Sequence, residues 1–185
     1  MLADEKNIIT FKEIGLKDSK KLTDSAIKKI APKIKENSQY SIIVINPAKY
    51  NELYSKFKNL NSLLAWGHAR AIENILEKGA CQSAVSDKFG NESLIKNALM
   101  KKGKEINLIQ ETKAEDKYIA VAAASILARD EFLRRIKNLS LEYGIQLQKG
   151  AGEKVKIQTE EFIKAHGFEK LSNIAKLHFK TTPKK

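Results

Sequence analysis

The pattern of apolar and polar positions along the chain predicts helices that alternate with short strands. Between residues 25 and 35, apolar side chains recur three and four positions apart, which predicts an amphipathic helix capped by Thr23 or Asp24. Further helices are predicted at 48–54, 61–76, 92–102 and, after a Thr159 cap, 160–166, with a last amphipathic segment at 170–179. Strands are predicted at 41–46, 82–87 and 106–110, where short apolar runs are bounded by polar residues. Strands alternating with helices are typical of an α/β fold.

The stretch from Glu111 to Arg129 is the most distinctive part of this pattern. Its entry carries the acids Glu115 and Asp116, and the chain is then apolar from 119 to 128 except at Ser125. This run is shorter than the roughly 20 apolar residues that span a bilayer. Its alanines favour a helix that lies close against a sheet, and the helix dipole favours acids at its start. We therefore expect a buried helix that holds one or two carboxylates at its N-terminal end.

Asp87 and Glu115 each follow a predicted strand. In open α/β sheets, sites assemble at the carboxyl ends of strands, and two carboxylates there could bind a hard cation such as Mg²⁺. An exposed acid in a turn is an equally good interpretation of each residue, and spacing does not decide between the two.

Composition indicates the charge of a binding partner and excludes several classes of protein. With 34 Lys and Arg against 22 Asp and Glu, the net charge is +12, which favours a polyanionic partner, nucleic acid ahead of a membrane surface. A generally lysine-rich proteome explains that excess equally well. The single cysteine, Cys81, excludes intramolecular disulfides and cysteine-based zinc clusters. With no signal peptide or membrane span in the sequence, we expect a cytoplasmic protein.

Three further sets of residues carry weaker signals. His68, His166 and His178 are isolated from one another in sequence, so packing or a hydrogen bond is favoured over a metal or catalytic role. The glycines around Ala151 could cradle a nucleic-acid phosphate, but Val155 breaks the G-x-G-x-x-G pattern, and we expect no nucleotide cofactor. The pair Lys20 and Lys21 could contact phosphates, although a solvated lysine pair is the commoner arrangement.

Several motifs, taken in order, resemble those of one family. Gly15–Leu22 reads GLKDSKKL, and Lys113-Ala114-Glu115 is followed by AVAAASILAR at 120–129. These segments resemble the signatures of type 2 ribonucleases H. The glutamate at 115, together with the segments 149–152 and 176–179, resembles ribonuclease HIII rather than HII. The resemblance implies a ribonuclease H-like α/β fold that cleaves the RNA strand of RNA/DNA hybrids, using Mg²⁺ or Mn²⁺ held by four carboxylates.

Carried over by position, Asp87 matches the family's third acid and Glu115 its fourth, so both are expected to be catalytic metal ligands. The resemblance also implies a set of residues along the hybrid, namely Lys20, Lys21, Lys149, Gly150, Gly152, Lys176 and His178.

The chain departs from the family at its start. The family's first two acids form an Asp-Glu pair well ahead of the LKDSKKL motif, whereas only 14 residues precede Gly15 here, and Asp4-Glu5 lacks the expected apolar and glycine context. We therefore expect residues 1–185 to form a single ribonuclease H-like domain that is incomplete at its N-terminus, with central strands and the substrate-binding domain missing.

Such a chain should be a monomer unless another polypeptide supplies the lost strands. Weak or no cleavage by this chain is expected, and the alternative is a non-catalytic basic remnant that binds nucleic acid. An unrelated basic scaffold protein would require accidental motif matches and is much less favoured.

Overall fold

The computed structural model describes residues 1–16, 22–179 and 182–183. It divides into two compact units, of which the first contains residues 1–43 and 60–132 and the second contains 44–59 and 133–185. The prediction of a single domain stays a prediction. The helices are α1 (Glu5–Glu13), α2 (Asp24–Glu36), α3 (Pro47–Phe57), α4 (Leu60–Leu76), α5 (Ser93–Ala98), α6 (Lys101–Lys104), α7 (Ala114–Lys117), α8 (Ile119–Tyr143) and α9 (Glu153–His166), and the strands are β1 (Ser83–Asp87) and β2 (Asn107–Glu111).

The first unit contains a parallel pair of strands. Strand β1 pairs with β2 in a register that runs from Ser83 opposite Asn107 to Asp87 opposite Glu111. The two strands are connected through α5 and α6, as a parallel pair requires a crossover. Both strands therefore end at the same edge of the sheet. The predicted strands at 82–87 and 106–110 are confirmed to within one residue at each end.

The predicted strand at 41–46 is wrong. These residues have no regular secondary structure, and in the part of the chain that the structure describes the only sheet is β1 with β2. A strand exists only where a neighbour completes its hydrogen-bonded ladder, however β-branched its sequence is. Asn46 instead caps α3, since its side-chain oxygen accepts a hydrogen bond from the backbone N–H of Lys49 at 2.8 Å.

Capping residues place the starts of the first two helices. Asp4 and Asn7 form a reciprocal capping box at the start of α1, so the segment at 7–11 is helical. Thr23 caps α2 as expected, accepting from the backbone N–H of Ala26 at 3.2 Å. Asp4 is thus a helix cap, which agrees with its exclusion from the acidic site.

A buried carboxylate interrupts the helix predicted at 92–102. Glu73 of α4 is only 5% exposed and accepts hydrogen bonds from the backbone N–H groups of Met100 (2.6 Å) and Gly103 (3.1 Å). The chain therefore breaks between α5 and α6 instead of continuing as one helix. Here α4 packs against α5 through a small core made of Ala65, Ala69, Ile95 and Leu99.

The alanine-rich stretch is helical, but it is divided at Tyr118. The extended backbone of this residue (φ −118°, ψ 109°) separates the single turn of α7 from the 25-residue α8. Ala122, Ala123 and Ile126 of α8 are buried, as the sequence predicts for this run. No helix in the described ranges is both long and apolar enough to cross a membrane.

In the second unit, the last predicted helix begins earlier than expected. Helix α9 starts at Glu153 with Gly152 as its N-cap, and Thr159 lies inside it, donating its hydroxyl to the carbonyl of Val155 at 2.7 Å. Phe162 is fully buried on this helix and packs edge-on against Tyr143 at a ring distance of 5.2 Å. The amphipathic segment at 170–179 is replaced by a short 3₁₀ helix over Phe168–Asn173, followed by turns.

Candidate functional site

The carboxyl ends of β1 and β2 bring acidic residues to one edge of the sheet. Asp87 and Glu111 are the last residues of their strands and are register partners. The backbone N–H of Lys88 donates to the carbonyl of Glu111 at 2.9 Å, so the pairing continues to the very end of the sheet. An edge of this kind is where sites in open α/β sheets assemble.

Asp87 is tied directly to the start of α7. Its Oδ1 accepts a hydrogen bond from the backbone N–H of Ala114 at 3.1 Å, and Ala114 is fully buried. Glu115, the next residue, is partly buried. The fold thus brings the backbone beside Glu115 to the Asp87 carboxylate, although the two residues are 28 positions apart in sequence. Their role as metal ligands stays a prediction.

Glu111 is a third acid at this edge that the sequence prediction missed. It forms an ion pair with Lys117 and accepts a hydrogen bond from the hydroxyl of Tyr118 at 2.8 Å. The bond from Lys117, and then that from Tyr118, hold the pKa of the Glu111 carboxyl below its usual value, while Glu111 raises the pKa of Lys117. Because Glu111 lies one residue beyond the predicted strand 106–110, its position at a strand end could have been noticed from sequence.

These acids do not form a complete cation cage. Within residues 1–16, 22–179 and 182–183, no group of three or more His, Cys, Asp or Glu side chains could hold a metal ion. Carboxylate oxygens suit a hard divalent cation in kind, but Asp87 and Glu115 are only two ligands. The arrangement can contribute to a cation site, and it needs further acidic ligands to hold a pair of cations.

His68 of α4 supports the strand that carries Asp87. Its Nδ1 lies 3.3 Å from the hydroxyl of Ser86, and its ring packs on Phe89 with a centroid distance of 5.0 Å. Burial lowers the pKa of His68, and the negative charge of Asp87 opposes that effect only in part. These contacts agree with the prediction that His68 packs and hydrogen-bonds.

The glycine-rich loop lies in the second unit, directly before α9. Gly150 has φ +100°, a left-handed conformation that glycine adopts without strain, and Gly152 is the N-cap of the helix. Lys149 beside them is exposed. The loop therefore presents a basic side chain next to the positive end of a helix dipole, which suits an anion. Phosphate binding here stays a prediction.

Lys176 and His178 are held against α3 in the same unit. The ammonium of Lys176 lies 4.5 Å from the ring centroid of Tyr50, and His178 stacks on Tyr54 at 4.1 Å. Burial lowers the pKa of Lys176. Burial, followed by the charge of Lys176, lowers the pKa of His178.

Asn51 of α3 holds the segment that carries Lys176 and His178, and the sequence did not predict this role. Its amide donates to the carbonyls of Ser172 (3.0 Å) and Ala175 (2.9 Å), and its Oδ1 accepts from the N–H of Leu177 at 2.9 Å. Only the folded chain could show this, since more than 120 residues separate the partners. The other predicted phosphate contacts, Lys20 and Lys21, lie outside the described residues.

Comparison with solved structures places this architecture among type 2 ribonucleases H. The chain is similar to Bst-RNase HIII in a crystal structure with Mn²⁺, with a TM-score of 0.90, 31% identity, and coverage of 97% of this chain and 60% of the other. It is also similar to ribonuclease H2 from Pyrococcus horikoshii, with a TM-score of 0.78, 28% identity, and coverage of 96% and 83%. The predicted ribonuclease H-like fold is confirmed.

The sequence comparisons define the family. Residues 1–182 match the ribonuclease HII family, and the chain belongs to it. It is 46% identical over 168 residues to a ribonuclease HIII from Protochlamydia amoebophila, covering 91% of this chain and 56% of that relative. It is 47% identical over 171 residues to a ribonuclease HIII from Chlamydia pneumoniae, covering 91% and 57%. The predicted resemblance is confirmed, and the chain spans a little over half the length of these curated relatives.

Proposed function

We propose that these 185 residues form part of a ribonuclease H, binding RNA/DNA hybrids and contributing Asp87 and Glu115 as ligands of a divalent cation. The supporting observation is the 3.1 Å hydrogen bond from the Ala114 N–H to the Asp87 carboxylate, which joins the end of β1 to the start of α7. Family membership and the Mn²⁺ in the structure of Bst-RNase HIII favour Mg²⁺ or Mn²⁺ as the cation. When bound, such a cation would polarise a phosphodiester and activate water.

The number of carboxylates limits what this chain does alone. Two cations and a phosphodiester between them require more negative ligand charge than Asp87 and Glu115 supply. We therefore expect residues 1–185 to bind a cation weakly and to cleave a hybrid weakly or not at all. Cleavage would require further acidic ligands brought to the same edge of the sheet.

Mn²⁺ binding tests the two ligands directly. Titration calorimetry with Mn²⁺ should show weak binding that is lost in Asp87→Asn and Glu115→Gln, because each substitution removes the negative charge of one ligand. Asp116→Asn is the matched control, since Asp116 is the neighbouring acid in α7 and is expected only to favour the helix start. Equal binding by all four proteins would contradict the assignment of the ligands.

A cleavage assay tests the limit on activity. An end-labelled RNA/DNA hybrid incubated with the purified chain and 5–10 mM Mn²⁺ (roughly the millimolar range that suits weak cation sites) should remain intact. Metal-dependent cleavage that disappears in Asp87→Asn would show that two carboxylates suffice, and it would overturn this part of the proposal.

The second candidate function is binding of nucleic acid without catalysis. It is favoured by the net charge of +12 and by the basic groups of the second unit, Lys149 and Lys176. On this alternative, hybrid binding weakens steeply with salt and does not change when EDTA removes divalent cations. If millimolar Mn²⁺ strengthens binding in the wild-type chain but not in Asp87→Asn, the cation-site proposal is favoured instead.

The open edges of the sheet bear on the proposed oligomeric state. In the described part of the chain, β1 and β2 pair only with each other, and each leaves an open edge. Open edges favour pairing with another strand. We propose that the chain is a monomer at low concentration unless a further polypeptide pairs with β1, and analytical ultracentrifugation across a concentration series would measure this.

A further inference from the structure

Lys113 has an unusual backbone conformation at the candidate site. Its φ of 55° and ψ of 41° lie in the left-handed region, which residues other than glycine and asparagine rarely adopt. Among the described non-glycine residues, only Lys58 shares a positive φ, and it is the C-cap of α3, where this conformation ends the helix. Lys113 joins β2 to α7, so helix termination does not account for it.

The left-handed turn has a clear local consequence. It directs the backbone N–H of the next residue, Ala114, to Oδ1 of Asp87 at 3.1 Å. A glycine would make the same turn with less strain. The backbone geometry alone therefore gives no reason for a lysine at this position. Strained non-glycine residues cluster at functional sites, which favours a functional role for the Lys113 side chain.

The ammonium group of Lys113 is available for a ligand. Two other lysines near this edge are engaged, because Lys88 pairs with Glu92 at 2.7 Å and Lys117 pairs with Glu111. Lys113 is exposed, and among the residues that the structure describes no acid forms an ion pair with it. It is thus a solvent-accessible cation two positions from Glu115.

The positive charge of Lys113 can attract a phosphate group to the acidic edge of the sheet. A phosphodiester that approaches Asp87 and Glu115 meets two negative groups, and a nearby ammonium offsets that repulsion. A lysine acts on phosphate as a point charge and needs no fixed geometry at its tip. The strained backbone fixes where the side chain begins, because the same turn is bonded to Asp87.

We propose that Lys113 is a substrate-binding residue whose ammonium contacts a backbone phosphate of the RNA/DNA hybrid beside Asp87 and Glu115. The inference rests on the proposed function, since it requires that the chain binds a hybrid. It adds one cation at the acidic edge of the first unit to the phosphate contacts predicted elsewhere in the chain.

Hybrid binding measured with matched variants tests the contact. Fluorescence anisotropy of a labelled RNA/DNA duplex of about 20 base pairs, a length chosen to cover several phosphate contacts, is recorded in EDTA at several KCl concentrations. Lys113→Met and Lys113→Gly should each weaken binding about fivefold at low salt and reduce the slope of log Kd against log salt by about 0.9. Lys113→Arg should retain binding, because it keeps the charge. Lys29→Met removes an exposed lysine of α2 and should change Kd by less than about twofold, as a charge outside the contact does.

Thermal unfolding of the same proteins separates a binding role from a backbone role. Lys113→Gly relieves the left-handed strain, so its Tm should not fall, and its binding defect cannot come from misfolding.

If Lys113→Gly and Lys113→Met keep the wild-type Kd and salt slope, the inference is wrong and the proposed function stands. An equal loss in Lys29→Met would also overturn it, since the effect would then be one of net charge. If the wild-type chain fails to bind the hybrid, both the proposed function and this inference are wrong.

Discussion

Removing the Glu73 carboxylate tests how the fold positions strand β2. Glu73 is 5% exposed and accepts two backbone hydrogen bonds, from Met100 at 2.6 Å and from Gly103 at 3.1 Å. These bonds fix the break between α5 and α6, and α6 leads directly into β2. The acidic edge that β2 shares with β1 therefore depends on an acid that takes no part in the site itself.

The expected cost follows from the two donors. In Glu73→Ala, both N–H groups lose their acceptor, and a buried donor left without a partner costs about 1–3 kcal/mol. The free energy of unfolding should therefore fall by about 2–6 kcal/mol. Glu73→Gln keeps an acceptor oxygen and nearly the same volume, so it loses only the charge assistance of the bonds, about 1 kcal/mol.

Urea unfolding followed by circular dichroism measures these differences. The midpoint should shift while the m-value stays constant, which would show that stability and not compactness has changed. Glu77→Ala is the matched control, because Glu77 is exposed just beyond the end of α4, and it should cost less than about 0.5 kcal/mol. If Glu73→Ala costs no more than Glu77→Ala, the two backbone bonds do not stabilise the fold and the reasoning is refuted.

Three further perturbations have definite expected outcomes. Gly103→Ala should lower the free energy of unfolding by about 1–3 kcal/mol in a urea titration, because its Cβ would lie 2.5 Å from the carboxylate of Glu73. Phe162→Ala should lower it by about 3–5 kcal/mol in the same assay, since the ring is fully buried against Tyr143. The imidazole of His178 should titrate below the ordinary histidine value in an NMR pH series, because burial and then Lys176 lower its pKa, so folding stability should fall as the pH decreases below about 6.5.

Each of these outcomes has a control. Gly67→Ala adds the same methyl group where no atom lies within 4 Å, and in the middle of α4 it should leave stability unchanged or raise it. Ile157→Ala removes a side chain that is 53% exposed on the same helix as Phe162, and should cost far less. Lys176→Met should bring the titration of His178 closer to its ordinary value, and an unchanged midpoint would contradict the role of that charge.

Most secondary structure could be predicted where the local pattern and the tertiary environment agree. Helix α2 has both a Thr23 cap and a regular apolar stripe, and the structure reproduces it to within a residue of the prediction. The segment at 41–46 has equally clear strand composition and forms no strand, because a ladder requires a partner that local sequence cannot supply. The helix predicted to start after Thr159 begins at Glu153 instead. Its first turns are mostly polar and show no clear apolar stripe, so the sequence pattern did not indicate where the helix that buries Phe162 begins.

Some features of the candidate site could be predicted from the sequence, whereas others are visible only in the folded chain. Asp87 and Glu115 are predicted as ligands from their positions after predicted strands and from the family resemblance, both of which depend on residue type and order. The ion pair of Glu111 with Lys117, the Asn51 bonds and the conformation of Lys113 could not be found in this way, since each depends on where the folded backbone goes.

By itself, the sequence determined the class of this protein: an α/β member of the ribonuclease HII family with a net charge of +12 and with acids that follow predicted strands. These features depend on residue type, order and short-range periodicity, which can be identified from the sequence without the fold. The tertiary structure decided which donors and charges meet, above all the bond that joins Asp87 to Ala114. Hydrogen bonds and ion pairs act over a few ångströms, so residues distant in sequence acquire their roles only when the fold brings them within that range.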